Sequence, residues 1–383
     1  MRNRAAVVII GGGINGVSVA YHLAKFGAKD IVVLEKNFLA AGSTGRCGAG
    51  VREQWGTEMN CRLAQASIKK FERMNEELEY DDDIEFKQKG YLILAHTEKE
   101  LTQFKKNIEL QHSLGIPSKL VTPEEAKEIV PHLNTEGLLA ATYCPEDGHI
   151  NPFKAVDAYA KAARRLGVEI LTGVEVTGIK VVGGKIAGVE TNRGTIDTPI
   201  VVNTAGPYSQ LVAAMAGIKL PVYSERHQIL VTEPVEPLQD PMVMSFSRSF
   251  YVQQSPHGSF IMGIGDPNEP RDAYETGHSW QFLEHCAKVV TWHLPVLAKL
   301  RVVRQWSGMY NISPDRQPIL GPVDEVEGYY QAIGFSGHGF MLGPMTGELL
   351  AQSILGLPLT MPIEQLHLNR FVKGELILEP SVV

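Results

Sequence analysis

Gly11, Gly13 and Gly16 stand at the spacing that brings a backbone against a diphosphate, and Glu35 follows 19 residues after the last of them. The first glycine permits a tight turn, the second admits the pyrophosphate, and the third lets helix and strand pack closely. Free N–H groups at the start of the helix, where Ile14 and Asn15 lie, favour a doubly anionic group. Glu35 is placed to accept hydrogen bonds from an adenosine ribose, with Lys36 beside it. These residues predict a dinucleotide site. The fingerprint alone does not choose between NAD and FAD.

Three further groups are suited to chemistry. Gly42–Gly48 is small and polar; Ser43 and Thr44 can donate hydroxyl hydrogen bonds, and Arg46 can neutralise a phosphate. Arg52 carries a guanidinium that pairs bidentately with a carboxylate and keeps its charge on burial. Gly334-Phe335-Ser336-Gly337-His338-Gly339-Phe340 is a glycine-rich turn feeding a helix, so its N–H groups face developing negative charge.

The elements that hold these groups are readable. AVVII (6–10) is a continuous apolar run, as in a strand buried on both faces of a parallel sheet. A helix from Ile14 to Phe26 follows, stopped by Gly27, and IVVLE (31–35) makes a second buried strand; together they form a βαβ unit. A capping box at Thr97–Glu100 opens one helix, Thr122-Pro123-Glu124-Glu125 opens another with proline at its first position, and Asn151-Pro152 opens a third that runs through Arg165. VEILTG, VEVTGIKVV, KIAGVETN and GTIDTPIVVNTAG alternate around glycine turns and predict an antiparallel meander that feeds a last buried strand. Residues 221–310 are strand-rich with one helix near 280–299. YYQAIG then leads into the second glycine turn and a helix with Leu342, Met345, Leu349 and Ile354 on one side.

The chain has 383 residues, 44% of them hydrophobic and 21% charged, which excludes disorder. Apolar runs fall short of the ~20 residues of a membrane span. The N-terminal run lacks a cleavage site and is read as a strand, not a leader. With 36 basic against 43 acidic side chains and no basic block, nucleic acid is not an expected partner. Cys47, Cys61, Cys144 and Cys286 show no CxxC spacing, so a reducing cytoplasm and no metal site are expected.

The βαβ start, Gly42–Gly48, Val51-Arg52, the VVNTAG strand and GFSGHGF together make the chain resemble the D-amino-acid oxidase superfamily of flavoproteins. The likeness is nearest to the β subunits of sarcosine oxidase and of the heteromeric L-proline dehydrogenase complex. It implies a mixed α/β fold in which a Rossmann-like FAD-binding domain (1–85, 150–220 and 311–383) is interleaved with an antiparallel-sheet substrate domain (86–149 and 221–310). It also implies an FAD-dependent dehydrogenase that oxidises a secondary amine such as L-proline or sarcosine by hydride transfer to flavin N5. Electrons would pass to a second, α-type subunit; a stand-alone oxidase using dioxygen is the alternative. Arg52 would anchor the substrate carboxylate, Tyr251 would line the pocket, and His227 and Gln228 would lie on a strand beside it. His338, which would add charge near the flavin, completes the candidate catalytic set. Cys47 and Gly48 would pass the flavin, Cys47 as a packing residue. Val176, Ala205, Gly206, Gly308, Gly334, Gly337, Gly339, Phe340 and Met341 complete the expected cofactor contacts.

Three departures from the family pattern shape these expectations. Gly308 occupies the place of the cysteine that tethers flavin in some members, so FAD is expected to be non-covalent. Met341 replaces a lysine that helps hold the carboxylate in monomeric sarcosine oxidases. Phe153 falls where a histidine tethers FMN in heterotetrameric relatives, so FMN at a subunit interface would also be non-covalent.

Overall fold

The structure is a computed structural model describing residues 2–381. Its first strand, Val7–Ile10, is wholly buried and carries only apolar side chains, the composition that a strand covered on both faces requires. It lies in a six-stranded sheet between Ile31–Glu35 and Val201–Asn203, both parallel to it. Outside these come Glu169–Thr172 on one side and Tyr329–Ile333 on the other, again parallel, with Ile319–Pro322 closing the edge antiparallel. The helix Ile14–Lys25 begins directly after the glycine turn and covers one face.

The helix Gly339–Leu355 packs against it at close range. A Cβ on Gly343 would lie 2.9 Å from Ile14, and one on Gly347 would lie 2.1 Å from the Ser18 hydroxyl, so only glycine lets these helices approach so closely. Thus the first and last nucleotide-type segments of the chain meet.

The second sheet has eight strands, running Val302–Ile312, Tyr223–Pro234, Ser259–Ile264, Phe250–Gln254, Met242–Ser245, Tyr91–Ala95, Ala140–Cys144 and Lys119–Val121. The predicted capping box forms at Thr97, the helix start read at Thr122 proves to be a second one, and Asn151 caps Pro152–Arg165 by accepting from Phe153 and Lys154 N–H.

Several expectations need correction. VEILTG is not part of the meander: Glu169–Thr172 pairs parallel with Ile31–Glu35. It is the half-exposed edge strand of the six-stranded sheet, so it lacks the continuous apolar run of the buried central strands. The three-stranded meander comprises Val176–Val182, Lys185–Thr191 and Gly194–Asp197. The eight-stranded sheet is antiparallel except where Met242–Ser245 joins Tyr91–Ala95 in parallel. The helix expected over 280–299 ends at His293, and a 3-10 turn, Pro295–Lys299, follows, because Pro295 has no N–H to continue it. The boundary drawn after 310 falls inside the strand Val302–Ile312. Among the described residues no helix is long and apolar enough to cross a membrane.

Candidate active site

A cavity of about 520 Å³ lies between the two sheets. Arg52, Tyr251 and His338 line it, as do all the expected cofactor contacts except Gly16. That exception has a physical reason. A Cβ on Gly16 would lie 1.9 Å from the Gly11 carbonyl oxygen, so Gly16 is the packing glycine behind the turn. Gly11 needs its own freedom, since its φ is +113° and a Cβ would lie 2.5 Å from the Thr204 carbonyl oxygen.

Two helix N-termini open on this cavity. Gly13 precedes Ile14–Lys25 without a side-chain cap, and the Ile14 N–H donates to the Thr44 hydroxyl at 3.2 Å. His338 precedes Gly339–Leu355, also uncapped. Glu35 is held rigidly at the far end. Its Oε2 accepts from Gly12 N–H at 2.8 Å and its Oε1 from Asn37 N–H at 2.7 Å, which leaves lone pairs on both oxygens for further donors. Lys36 Nζ sits 3.3 Å from the centre of the Tyr208 ring, a cation–π contact on the same wall.

The polar loop 42–48 lines the cavity and is also tied into the fold by its own side chains. Ser43 donates its hydroxyl to the Met309 carbonyl at 2.6 Å. Arg46 donates to the carbonyls of Ala41 and Ser307, at 3.0 and 2.9 Å, and therefore stitches the loop to the strand Val302–Ile312. Cys47 is a neutral thiol whose pKa burial pushes up to about 11.

His338 corrects another expectation. Burial, with the positive charge of Arg52 nearby, drives its pKa down to about 3, so it contributes a neutral imidazole and no positive charge. It packs edge-on against Trp55, ring centres 4.9 Å apart. His227 is likewise neutral, its pKa lowered to about 4 by burial, and its ring stacks on Tyr310 at 4.5 Å and on Tyr251 at 6.2 Å. Gln228, the next residue in the strand, turns to the opposite face and donates to Glu269 at 2.5 Å, away from the cavity.

The wall is suited to a large polar cofactor. Asn15 Oδ1, His227 Nε2, Asn311 Nδ2 and His338 Nε2 are buried on it without hydrogen-bond partners among the described residues. Buried polar atoms are rarely left in this state, so they await donors and acceptors from something bound.

Arg52 is 5% exposed and reaches the same cavity. It lies over the Trp55 ring, 3.7 Å from its centre, while the Trp55 indole N–H donates to the Arg52 carbonyl at 3.0 Å. Trp55 and Tyr310 had no role in the reading of the sequence. Tyr310 lies two residues after Gly308 on one strand, so the period-2 alternation that aims Gly308 at the cavity aims Tyr310 there too.

A buried acid pair was also missed. Asp147 Oδ1 accepts from Glu53 N–H at 2.7 Å and Oδ2 from the Gln54 amide at 2.7 Å, which fixes the backbone next to Arg52. The Cys144 thiol, its pKa raised by burial, donates to Glu53 Oε1 at 3.7 Å. Burial raises the pKa of both carboxyls, and the Asp147 charge raises that of Glu53 further. Groups that hold protons more tightly when folded stabilise the fold below the ordinary carboxylate range, and this contribution is lost as pH climbs through the raised values. Glu53→Gln removes one titration and its repulsion. The unfolding temperature of the variant should decline less than that of the parent as pH rises from the acid range through neutrality, measured by calorimetry; parallel declines would refute the assignment.

Residues 6–353 match the family model described as DAO, FAD dependent oxidoreductase. The β subunit of sarcosine oxidase from Arthrobacter sp is 32% identical over 97% of this chain and 92% of its own length. That of Rhodobacter capsulatus is 29% identical, over 99% and 91%. Among solved structures, L-proline dehydrogenase from P. horikoshii is 40% identical, covers 98% of this chain and 100% of that one, and superposes with a TM-score of 0.93.

Proposed function

Because this chain belongs to the DAO family of FAD-dependent oxidoreductases, acting on CH–NH donors of amino acids, we propose that its substrate is a secondary amino or imino acid of the L-proline or sarcosine type. The observation that carries this reading is Arg52, a buried guanidinium on the wall of the cavity that both helix N-termini face. An anionic substrate group offsets the cost of such a burial.

The amides at Gly13–Asn15 would hold the pyrophosphate, Glu35 the ribose, and the amides at Gly339–Met341 the flavin end. Bound FAD supplies the two-electron acceptor for the carbon–hydrogen bond beside the substrate nitrogen. The chain itself binds and orients. Arg52 grips the carboxylate, while His227, Tyr251 and Tyr310 form an aromatic wall that keeps water out. A free secondary ammonium has a pKa near ~10, comparable with that of lysine, and the same desolvation that depresses a buried lysine favours its neutral form here. No dedicated base is required, since the neutral imidazoles and protonated tyrosines only shape the site.

FAD is held without a covalent bond in this reading, because Gly308 offers no side chain to carry one. Electrons go to a partner subunit, in keeping with the β-subunit relatives. Phe153 is 50% exposed and packs beside Gly45, so FMN bound there would lie against a ring rather than be tethered to one. Four free cysteines agree with a cytoplasmic setting. In this reading a cofactor unit and a substrate unit meet at the cavity.

The test is the visible spectrum of the FAD-loaded protein under anaerobic conditions, with L-proline, sarcosine and other amino acids added singly. Bleaching of the flavin band by L-proline or sarcosine is the expected result. Bleaching only by primary or D-amino acids would overturn the substrate class. Copurification of a second subunit supports transfer to a partner, and a lone chain releasing peroxide would overturn it.

A further inference from the structure

The segment Glu379–Ser381 lies against the arginine that the reading above places on the substrate. Arg52 must present its guanidinium in one plane to meet a carboxylate with two parallel bonds. Two carbonyls fix that plane. Nη1 donates to Gln54 O at 2.6 Å, a neighbour two residues away, and Nη2 donates to Ser381 O at 2.6 Å, 329 residues away. Two of the five N–H donors are thereby used, and the other three have no hydrogen-bond partner among the described residues. The second carbonyl stands where it does only because its segment is pinned.

Glu379 does the pinning. Its Oε1 accepts from Gly56 N–H at 2.7 Å and from Ser381 N–H at 3.0 Å. Its Oε2 accepts from the Thr57 hydroxyl at 2.7 Å and the Asn60 amide at 2.9 Å. Thr57 starts the helix Glu58–Glu72 without a side-chain cap of its own, so the carboxylate also meets the positive end of that helix. Asn107 ties down the Ser381 hydroxyl at 2.9 Å. Gly56 must be glycine here, since a Cβ would lie 2.3 Å from Pro380.

We infer that Glu379 is a positioning residue for substrate binding, acting on Arg52 through the Ser381 carbonyl. The inference rests on Arg52 being the carboxylate anchor. Glu379→Gln keeps the shape but turns one of its acceptor atoms into a donor facing donors, which releases the segment and lets the guanidinium turn.

The experiment is anaerobic stopped-flow reduction of the FAD-loaded protein by whichever of L-proline and sarcosine bleaches it. In Glu379→Gln the substrate Kd should rise about tenfold, below the ~100-fold that a 1 Å misplacement can cause, with the limiting reduction rate and FAD content retained. Thr57→Val, which removes one donor to Glu379, should shift Kd in the same direction by less, and it serves if the first variant does not fold. An unchanged Kd in a loaded variant overturns the inference, as does a joint fall of rate, affinity and FAD content. Arg52→Lys separates the two readings. If it also leaves Kd unchanged, the anchor itself is misassigned; if it raises Kd while Glu379→Gln does not, only the positioning role falls. Bleaching by neither amino acid removes the premise.

Discussion

Arg52→Lys should lower kcat/KM for the amino-acid substrate by about 10²- to 10³-fold, as expected when one partner of a buried, hydrogen-bonded charge pair is compromised. Lysine keeps the charge, so charge alone is not what is lost. One ammonium cannot serve Gln54 O, Ser381 O and both oxygens of a carboxylate in the fixed fork that a guanidinium provides. It also loses the flat stacking over Trp55. The cost should fall mainly on substrate affinity, with FAD still bound, because the hydrogen bonds and ring contact of Arg52 go to Gln54, Ser381 and Trp55 and not to the Gly11–Asn15 turn. Steady-state kinetics with a flavin absorbance measurement on each preparation would check this. An unchanged KM would remove Arg52 from the site.

Gly16→Ala should yield protein that loses its cofactor. The added methyl would lie 1.9 Å from the Gly11 carbonyl oxygen and 2.8 Å from the Thr204 hydroxyl. Gly11 cannot move aside easily, with its left-handed φ and the Thr204 carbonyl against it. The turn must open, and the amides that face the pyrophosphate then diverge. Overpacking of this kind costs roughly 1–3 kcal/mol, equivalent to FAD binding weakened by about 10- to 100-fold. Titration of apoprotein with FAD, followed by flavin fluorescence, reads the effect directly. An affinity equal to that of the parent would show that the turn tolerates a side chain and that the packing argument is wrong.

The parts of the molecule that sequence discloses are those fixed by local rules. The glycine turns are legible because backbone geometry there permits no other residue, and the run Val7–Ile10 is legible because burial on both faces excludes polar side chains. Capping at Thr97, Thr122 and Asn151 is local and appears as read. The illegible parts depend on distant neighbours. The Ser43 hydroxyl points to Met309, 266 residues away, and nothing near Ser43 discloses that. The neutral state of His338 follows from burial beside Arg52, a property of the assembled site. The acid pair Glu53–Asp147 joins residues 94 apart that look, in sequence, like ordinary surface carboxylates. Gln228 failed for a simpler reason: adjacent strand residues face opposite ways, so His227 and Gln228 could not both line one cavity.

The pairing of the first strand with Val201–Asn203, and of that strand with Tyr329–Ile333, bears on how the protein is made. The fingerprint turn is made well before the helix Gly339–Leu355 that packs on the helix Ile14–Lys25. At ~5–20 residues per second, tens of seconds separate the two. Until Val201–Asn203 has been made, the apolar strand Val7–Ile10 lacks its partner on one side, which is the exposure that chaperones shield. FAD can meet both helix ends only after the later one exists, so it binds the finished fold and draws the final closure forward by mass action. The completed form is then stabilised to a degree set by the free FAD concentration.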